Sequence, residues 1–199
     1  YLAGHVPGAV YAHLDDDLSG PKVAGKTGRH PLPDPARLAE TLGGWGIGDG
    51  VNVAVYDDMG GAMAARLWWL LRWLGHDAVS VLDGGWPAWL ASGGASSTDI
   101  PSPRRASFVA RVRPEPPVDA DEVARLLQRS DHRVLDARAP ERVRGEVEPI
   151  DPVAGHIPGA RSLPLGDILE AGKLRNPDAI RTRFAREMGD VPAAAAVAY

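Results

Sequence analysis

The chain has 199 residues, of which 44% are hydrophobic and 24% are charged, and its formal net charge is −4. This length fits one large or two modest domains, the composition is that of a folded globular protein, and the charge disfavours nucleic acid as a partner. The longest apolar stretch, residues 67–74, contains Arg72 and is far shorter than the roughly 20 residues of a membrane span, so we expect no membrane segment.

The chain contains no cysteine, so it carries neither a disulfide framework nor a thiolate metal site. Tyr1 lies within a motif, and the sequence is therefore silent on a signal peptide. We expect a cytoplasmic protein.

The first half of the chain predicts an α/β unit. The hexapeptide GHVPGA at residues 4–9 is followed by a proline-led helical pattern over residues 35–42 and by an apolar run over residues 51–56, which ends in Tyr56. A further helix is expected over residues 63–74. Short apolar runs that alternate with helices are typical of buried parallel strands, because parallel strands need helical crossovers.

A linker is predicted between two domains. Residues 92–97 are rich in Gly, Ser and Ala, and five prolines follow between residues 101 and 117. We therefore expect an N-terminal domain over residues 1–100, a linker over residues 101–117 and a C-terminal domain over residues 118–199.

The second domain repeats the first. Asp119 is expected to cap a helix that runs through Leu127. The predicted elements that follow are a strand over residues 134–138, the hexapeptide GHIPGA at residues 155–160, a helix over 177–188 and an apolar run over 193–199, which ends in Tyr199. The first copy has no equivalent of strand 134–138, whose place lies before Tyr1, so we expect both domains to be incomplete in this chain.

The tandem motif resembles the rhodanese (sulfurtransferase) family over nearly the whole chain. The resemblance depends on the two hexapeptides, on the segment LDGGWPAW at residues 82–89 and on residues 136–149. The last segment is similar to the catalytic half of bacterial thiosulfate and 3-mercaptopyruvate sulfurtransferases. The resemblance implies two tandem rhodanese-like domains, each a parallel sheet flanked by helices, of which only the C-terminal one is active.

In this family the nucleophilic cysteine directly follows the central strand, at the start of a loop where backbone N–H groups converge and lower the pKa of the thiol. The equivalent residue in the first copy is Asp57, which cannot carry sulfane sulfur, so that copy is expected to be inactive. In the second copy we expect the cysteine directly after Tyr199. The alternative is a homologue without this cysteine that still folds.

The sulfur donors of the family are anions, which favours arginine in the site. The resemblance assigns substrate binding to Arg142 first, and then to Arg138 and Arg144. For the last two, ion pairing with neighbouring glutamates (Glu141, Glu146 and Glu148) is the favoured alternative.

A second, carboxylate-binding arginine is common in the mercaptopyruvate branch, within a Glu-Pro-x-Arg pattern. This chain has Glu148-Pro149-Ile150-Asp151 instead. The replacement of that arginine by Asp151 favours thiosulfate relative to a carboxylate donor.

Asp15 and His30 occupy positions where mercaptopyruvate sulfurtransferases place partners for proton handling across the domain cleft. A His–Asp pair can polarise a hydroxyl group in the loop beyond Tyr199 and protonate a leaving enolate. The alternative is that His30 packs in an ordered loop and that the Asp15 region is a solvated turn.

His5 and His156 belong to both copies of the repeated motif, including the copy expected to be inactive. We therefore expect their imidazoles to hydrogen-bond backbone groups, and Asp136 to have a similar architectural role. Trp69 and Trp73, four residues apart on one helix, are expected to pack in the core or at the domain interface.

The leading hypothesis is a ping-pong sulfurtransferase that moves sulfane sulfur from thiosulfate or 3-mercaptopyruvate to cyanide or a thiol, including thioredoxin-like acceptors, through a cysteine persulfide. It requires no metal or organic cofactor. The rival is a tandem rhodanese module with a binding or regulatory role, and a lesser alternative is a phosphatase or arsenate reductase of the same fold. The residues after Tyr199 discriminate among the three.

Overall fold

A computed structural model describes residues 1–114 and 118–199, which form two compact units, Tyr1–Glu115 (unit 1) and Pro116–Tyr199 (unit 2). In both units, helices alternate with parallel strands, so the predicted α/β class is confirmed. None of the described helices is long and apolar enough to cross a membrane.

Unit 1 contains three helices and a pair of parallel strands. In chain order they are α1 (Pro35–Gly44), β1 (Val53–Val55), α2 (Ala64–Trp73), β2 (Val79–Val81) and α3 (Gly85–Ala91). Strands β1 and β2 pair in parallel, with Val53 opposite Val79 and Val55 opposite Val81.

Helix α1 begins where the sequence supplies a cap. The Asp34 carboxylate accepts hydrogen bonds from the backbone N–H groups of Ala36 (3.0 Å) and Arg37 (2.9 Å), and Pro35 occupies the first turn, where its missing N–H leaves no donor without an acceptor. The helix then buries Leu38 and Leu42 completely.

The core of unit 1 lies between α1 and α2. Its buried members are all aliphatic: Leu18, Leu38, Leu42, Ile47, Leu70, Leu71 and Leu74. Trp73 packs against this core, whereas its stacked neighbour Trp69, with ring centroids 5.8 Å apart, stays 37% exposed.

The segment predicted as a linker is packed over much of its length. The N–H of Ala106 donates to the carbonyl of Gly43, and the N–H groups of Arg111 and Arg113 donate to the carbonyls of Leu74 and Trp73. Phe108 and Ala110 also pack against the core of unit 1, and this burial is the physical reason that the segment follows the domain surface. Residues 115–117, the last part of the predicted linker, lie outside the described residues.

Unit 2 is built around a three-stranded parallel sheet. Its elements are α4 (Ala120–Leu126), β3 (Arg133–Asp136), α5 (Pro140–Val143), β4 (Arg161–Ser162), β5 (Leu169–Glu170), β6 (Lys173–Leu174), α6 (Pro177–Met188) and β7 (Ala196–Ala198). The strand order is β4-β3-β7, while β5 and β6 form a separate antiparallel pair. The Asp119 side chain caps α4 by accepting from the N–H of Glu122 at 2.8 Å, as the sequence predicts.

The repeated motif makes the same contact in both units. The N–H of Val6 donates to the hydroxyl of Tyr56 at 3.0 Å, and the N–H of Ile157 donates to the hydroxyl of Tyr199 at 2.9 Å. Tyr56 directly follows β1 and Tyr199 directly follows β7, so each copy of the hexapeptide is attached to the carboxyl end of a parallel strand. The hexapeptide and its tyrosine therefore have equivalent positions in the two units.

Next to this edge of unit 1, Gly85 packs directly against the backbone of Asp57. Its φ is +54°, and a Cβ atom there would overlap the carbonyl oxygen of Asp57, which accepts the N–H of Trp86 at 2.8 Å. Gly93 has a similarly left-handed φ of +81°, but a Cβ there would meet no atom within 4 Å.

We expect Gly85→Ala to lower the free energy of unfolding by at least about 2 kcal/mol more than Gly93→Ala, because both substitutions add left-handed strain but only the first adds overlap with backbone. Urea denaturation of the two variants and the parent measures the difference. Equal losses would contradict the close approach of α3 to the strand exit.

Candidate active site

The loop after β1 folds around the carboxylate of Asp57. Atom Oδ1 accepts hydrogen bonds from the N–H groups of Met59 and Gly61, both at 2.9 Å, and atom Oδ2 accepts from Met63 at 2.7 Å and Ala64 at 2.9 Å. Residues 57–64, which we call the amide nest, thus direct four backbone donors at one anionic group, with the N-terminus of α2 behind it.

The amide nest keeps Asp57 ionised. Burial by itself raises the pKa of this carboxyl, but the hydrogen bonds from Ala64, Gly61, Met59 and Met63 outweigh it, so the pKa lies below its ordinary value. The nest of unit 1 is therefore saturated by a side chain of its own. Asp57 has no atom that can form a persulfide, and this position can hold an anion but cannot transfer sulfur.

In unit 2, Tyr199 lies at the corresponding edge of the sheet. The N–H of Tyr199 donates to the carbonyl of Leu135 at 3.0 Å, and the carbonyl of Tyr199 accepts from Ala137 at 3.2 Å, so the ladder between β3 and β7 continues through this residue. Because parallel strands end at the same edge, Tyr199 lies beside the residues that follow β3.

Asp136 and Arg138 form a buried ion pair at this edge. The fully buried carboxylate of Asp136 accepts from Arg138 Nη2 at 2.6 Å and from the backbone N–H of Arg138 at 3.0 Å. Arg138 Nη2 also donates to the carbonyl of Gly155 at 2.7 Å, and its guanidinium lies 5.5 Å from the centroid of the Tyr199 ring. The pair therefore ties the end of β3 to the hexapeptide and to Tyr199.

The charge states of this pair follow from its contacts. Burial raises the pKa of Asp136, but the hydrogen bonds from Arg138 lower it and outweigh burial, so the pKa lies below its ordinary value. The hydrogen bond to Asp136 in turn raises the pKa of Arg138. The burial and the partners of Asp136 thus support the architectural role expected of it. Arg138 is ion-paired, as its alternative interpretation predicted, but its nearest carboxylate is that of Asp136 and not that of a neighbouring glutamate.

Arg142 is held by two carboxylates. Nε and Nη2 donate to Glu148 at 3.2 and 2.7 Å, and Nη2 also donates to Asp151 at 2.9 Å. Glu148 lies 3.6 Å from Arg138 Nη1 as well, so one carboxylate joins the two arginines. The hydrogen bond from Arg142 is the largest of several contacts that lower the pKa of Glu148 to about 2.

Arg144 lies apart from this group. Its guanidinium pairs with Glu146 at 2.7 and 2.8 Å, and both side chains are more than half exposed. The structure thus brings Arg138 and Arg142 together near the end of the sheet and leaves Arg144 on the surface of unit 2.

Asp15 and His30 are brought together within unit 1. His30 Nε2 lies 3.7 Å from Asp15 Oδ1, and Lys22 Nζ lies 2.9 Å from the same oxygen. The segment that carries His30 is fixed by Arg66, whose Nη2 donates to the carbonyls of Leu18 (2.9 Å) and Pro31 (3.0 Å). Sequence reasoning missed both Lys22 and Arg66.

The pKa values of this pair move in the same direction for different reasons. The hydrogen bond from Lys22 is the main cause that lowers the pKa of Asp15. Burial is the main cause that lowers the pKa of His30, against the opposing charge of Asp15. His30 is therefore neutral at pH 7 and can accept a proton.

The two motif histidines contact backbone, as predicted. The ring nitrogens of the buried His5 lie 3.1 Å from the carbonyl oxygen of Tyr1 and 3.0 Å from that of Asp99, and His156 Nδ1 lies 2.7 Å from the carbonyl oxygen of Val143. Sequence reasoning missed the tyrosine hydroxyls as contacts of the motif, although the signal was present: both apolar runs end in Tyr.

The charge of Asp57 should make the stability of unit 1 depend on pH. Its pKa in the folded protein lies below the unfolded value of about 3.9, so its contribution is complete above that value and is lost as the pH falls through the folded pKa. We expect Asp57→Asn to lower the free energy of unfolding by about 2 kcal/mol at pH 7 and by less below about pH 4.

Urea denaturation at pH 7 and at acidic pH measures this difference. Asp58→Asn is the matched control, because it removes the same charge from the exposed neighbouring residue. A loss in Asp57→Asn that stays constant with pH would show that the carboxylate is not the anion of the nest.

Comparisons with known proteins agree with the geometry of the repeat. The family model for the rhodanese-like domain matches residues 1–92. The chain is 46% identical over 201 residues to a probable 3-mercaptopyruvate sulfurtransferase of Pseudomonas aeruginosa, covering 100% of this chain and 71% of that protein. It is 45% identical to a putative thiosulfate sulfurtransferase, SseB, of Mycobacterium tuberculosis, covering 85% of this chain and 60% of the relative.

Among solved structures, the 3-mercaptopyruvate sulfotransferase SseA from Escherichia coli is similar with a TM-score of 0.81 and 29% identity, over 94% of this chain and 69% of that one. The chain thus spans about 60 to 71% of the length of these three proteins. The resemblance that the two hexapeptides carry is confirmed, and the chain belongs to the rhodanese family of sulfurtransferases.

Proposed function

We propose that the full-length protein moves sulfane sulfur from thiosulfate or 3-mercaptopyruvate to a thiophilic acceptor through a persulfide on a cysteine directly after Tyr199. The observation that carries the proposal is the amide nest of unit 1, in which four backbone donors converge on the side chain of Asp57, the first residue after Tyr56. Since Tyr199 makes the same contact to its hexapeptide as Tyr56, the residue after Tyr199 is the equivalent of Asp57.

The proposed reaction has two displacement steps. The cysteine thiolate attacks the outer sulfur of thiosulfate, a new S–S bond forms, the old S–S bond breaks, and sulfite leaves with the electron pair. The acceptor, cyanide or a thiol, then attacks the outer sulfur of the persulfide, and the thiolate is released. Backbone donors of the kind seen in the amide nest stabilise both the thiolate and the persulfide anion.

Arg142 is the residue proposed to hold the anionic donor. Its Nη1 group has no hydrogen-bond partner within residues 1–114 and 118–199, whereas Arg138 is committed to Asp136 and Gly155. Arg138 can therefore support the anionic donor only through its charge, from its position beside Tyr199. Arg144 is a weaker candidate, because its side chain is 56% exposed and pairs with Glu146, apart from Arg138 and Arg142.

His30 with Asp15 is proposed to handle a proton during the reaction of 3-mercaptopyruvate. The neutral imidazole and its carboxylate at 3.7 Å support this role, since a neutral histidine beside an acceptor can take up and return a proton. Thioredoxin-like acceptors, two tandem domains with only the second active, and a cytoplasmic location belong to the same proposal.

The second candidate function is a tandem module that binds partners without a reaction. The presence of Asp57 at the reactive position of unit 1 favours it for that unit. The residue after Tyr199 separates the two functions, because a side chain without a thiol there excludes a persulfide.

The full-length protein is expected to form thiocyanate from cyanide with at least one of the two sulfur donors. Replacement of the residue after Tyr199 by serine should abolish the reaction while circular dichroism shows an unchanged fold. A parent protein that produces no thiocyanate with either donor would disprove the proposed function.

Arg142→Ala should lower kcat/KM for thiosulfate roughly ten- to a hundredfold, which is the loss expected when a hydrogen-bonded charge partner is removed. Steady-state kinetics measure the effect. Arg181→Ala is the control, because this exposed arginine on α6 pairs only locally with Asp178. Similar kinetics for the two variants would contradict the role of Arg142.

A further inference from the structure

Two carboxylates, those of Glu148 and Asp151, pair with the guanidinium of Arg142. Glu148 lies at 2.7 Å and Asp151 at 2.9 Å from Nη2 of Arg142, and Glu148 also lies 3.6 Å from Nη1 of Arg138. An anionic donor that binds Arg142 must therefore approach two negative charges as well. Such an arrangement weakens the binding of anions relative to a free arginine.

The two carboxylates differ in their surroundings. The side chain of Glu148 is only 6% exposed, and besides Arg142 it accepts the backbone N–H groups of Ile150 (3.1 Å) and Asp151 (3.0 Å). It therefore belongs to the fixed framework of this turn. Asp151 has a side chain that is 31% exposed, and it reaches Arg142 through Nη2 alone.

Glu148 and Asp151 therefore contact Arg142 in different ways. Glu148 binds both Nε and Nη2 of Arg142, which fixes the plane of the guanidinium and directs Nη1 away from the pair. Asp151 adds charge to the group but leaves the orientation of the guanidinium to Glu148.

We propose that Glu148 is a positioning residue for Arg142 and that Asp151 is a specificity-determining residue, whose carboxylate acts as an internal counter-ion and limits the affinity of the site for anionic sulfur donors. The inference rests on the proposed function, in that Arg142 is taken to bind the donor. It assigns opposite effects to two carboxylates that touch the same guanidinium.

The test compares Asp151→Asn with Glu148→Gln in the full-length protein. Each substitution removes one negative charge next to Arg142 and keeps the size of the side chain. Charge alone would shift both variants in the same direction, whereas the proposal expects opposite shifts.

The first readout is the binding of thiosulfate by titration calorimetry, with serine after Tyr199 so that no persulfide forms. Asp151→Asn should lower the Kd about three- to tenfold, and the gain should shrink at high ionic strength. Glu148→Gln should raise the Kd at least about threefold, because the guanidinium loses its two-point contact. Asp178→Asn is the control for charge, since Asp178 pairs with the exposed Arg181 on α6, and it should stay within about twofold of the parent.

The second readout is the KM for thiosulfate and for 3-mercaptopyruvate in the protein with its native residue after Tyr199. Asp151→Asn should lower both KM values with little change in kcat, whereas Glu148→Gln should raise them. This split between KM and kcat would not follow from a general loss of folding.

The two proposals can fail separately. If the parent forms no thiocyanate but Asp151→Asn binds thiosulfate more tightly and Glu148→Gln more weakly, the proposed function is wrong and the assignment of the two carboxylates stands. If the parent turns over and Asp151→Asn leaves the Kd unchanged or raises it, or if both variants shift the same way, this inference is overturned and the proposed function stands.

Discussion

Backbone N–H groups that leave water need acceptors, and in this protein the loop at the carboxyl end of β1 directs four of them at one point. In unit 1 the acceptor is the carboxylate of Asp57, so the loop is complete without any ligand. The same constraint would stabilise a thiolate or a persulfide at the equivalent point of unit 2, where the strand ends in Tyr199. Under the proposed function, one backbone arrangement serves a structural carboxylate in one copy and a reactive sulfur in the other.

A second constraint is the buried charge of Asp136. A carboxylate with no exposed surface must be compensated, and Arg138 provides both the opposite charge and the hydrogen bonds. The same guanidinium reaches Gly155 and the face of Tyr199, so this compensation also fixes the hexapeptide against the end of the sheet. Arg138 is thereby committed to the fold, whereas Nη1 of Arg142 has no hydrogen-bond partner among the described residues.

The surroundings of Arg142 show a balance between order and affinity. An isolated arginine binds anions well but adopts many conformations, whereas carboxylates that hold it in place also offset its charge. Glu148 holds the guanidinium from the buried side, and Asp151 contacts it from the more exposed side. Under the proposed function, the affinity of Arg142 for a donor is set by how much of its charge these two carboxylates leave uncompensated.

The sequence by itself determined the α/β class, the duplication and the family, because the two hexapeptides and the apolar runs that end in Tyr56 and Tyr199 are local patterns. It also predicted the cap of α4 by Asp119 and the backbone contacts of His5 and His156, since these depend on neighbouring residues or on the repeat. Only the tertiary structure decided which arginine pairs with which carboxylate: Arg138 with Asp136, Arg142 with Glu148 and Asp151, and Arg144 with Glu146. Several carboxylates lie within reach of each arginine along the chain, and the choice among them follows from burial and from the direction of each side chain, which the turn between α5 and the second hexapeptide sets.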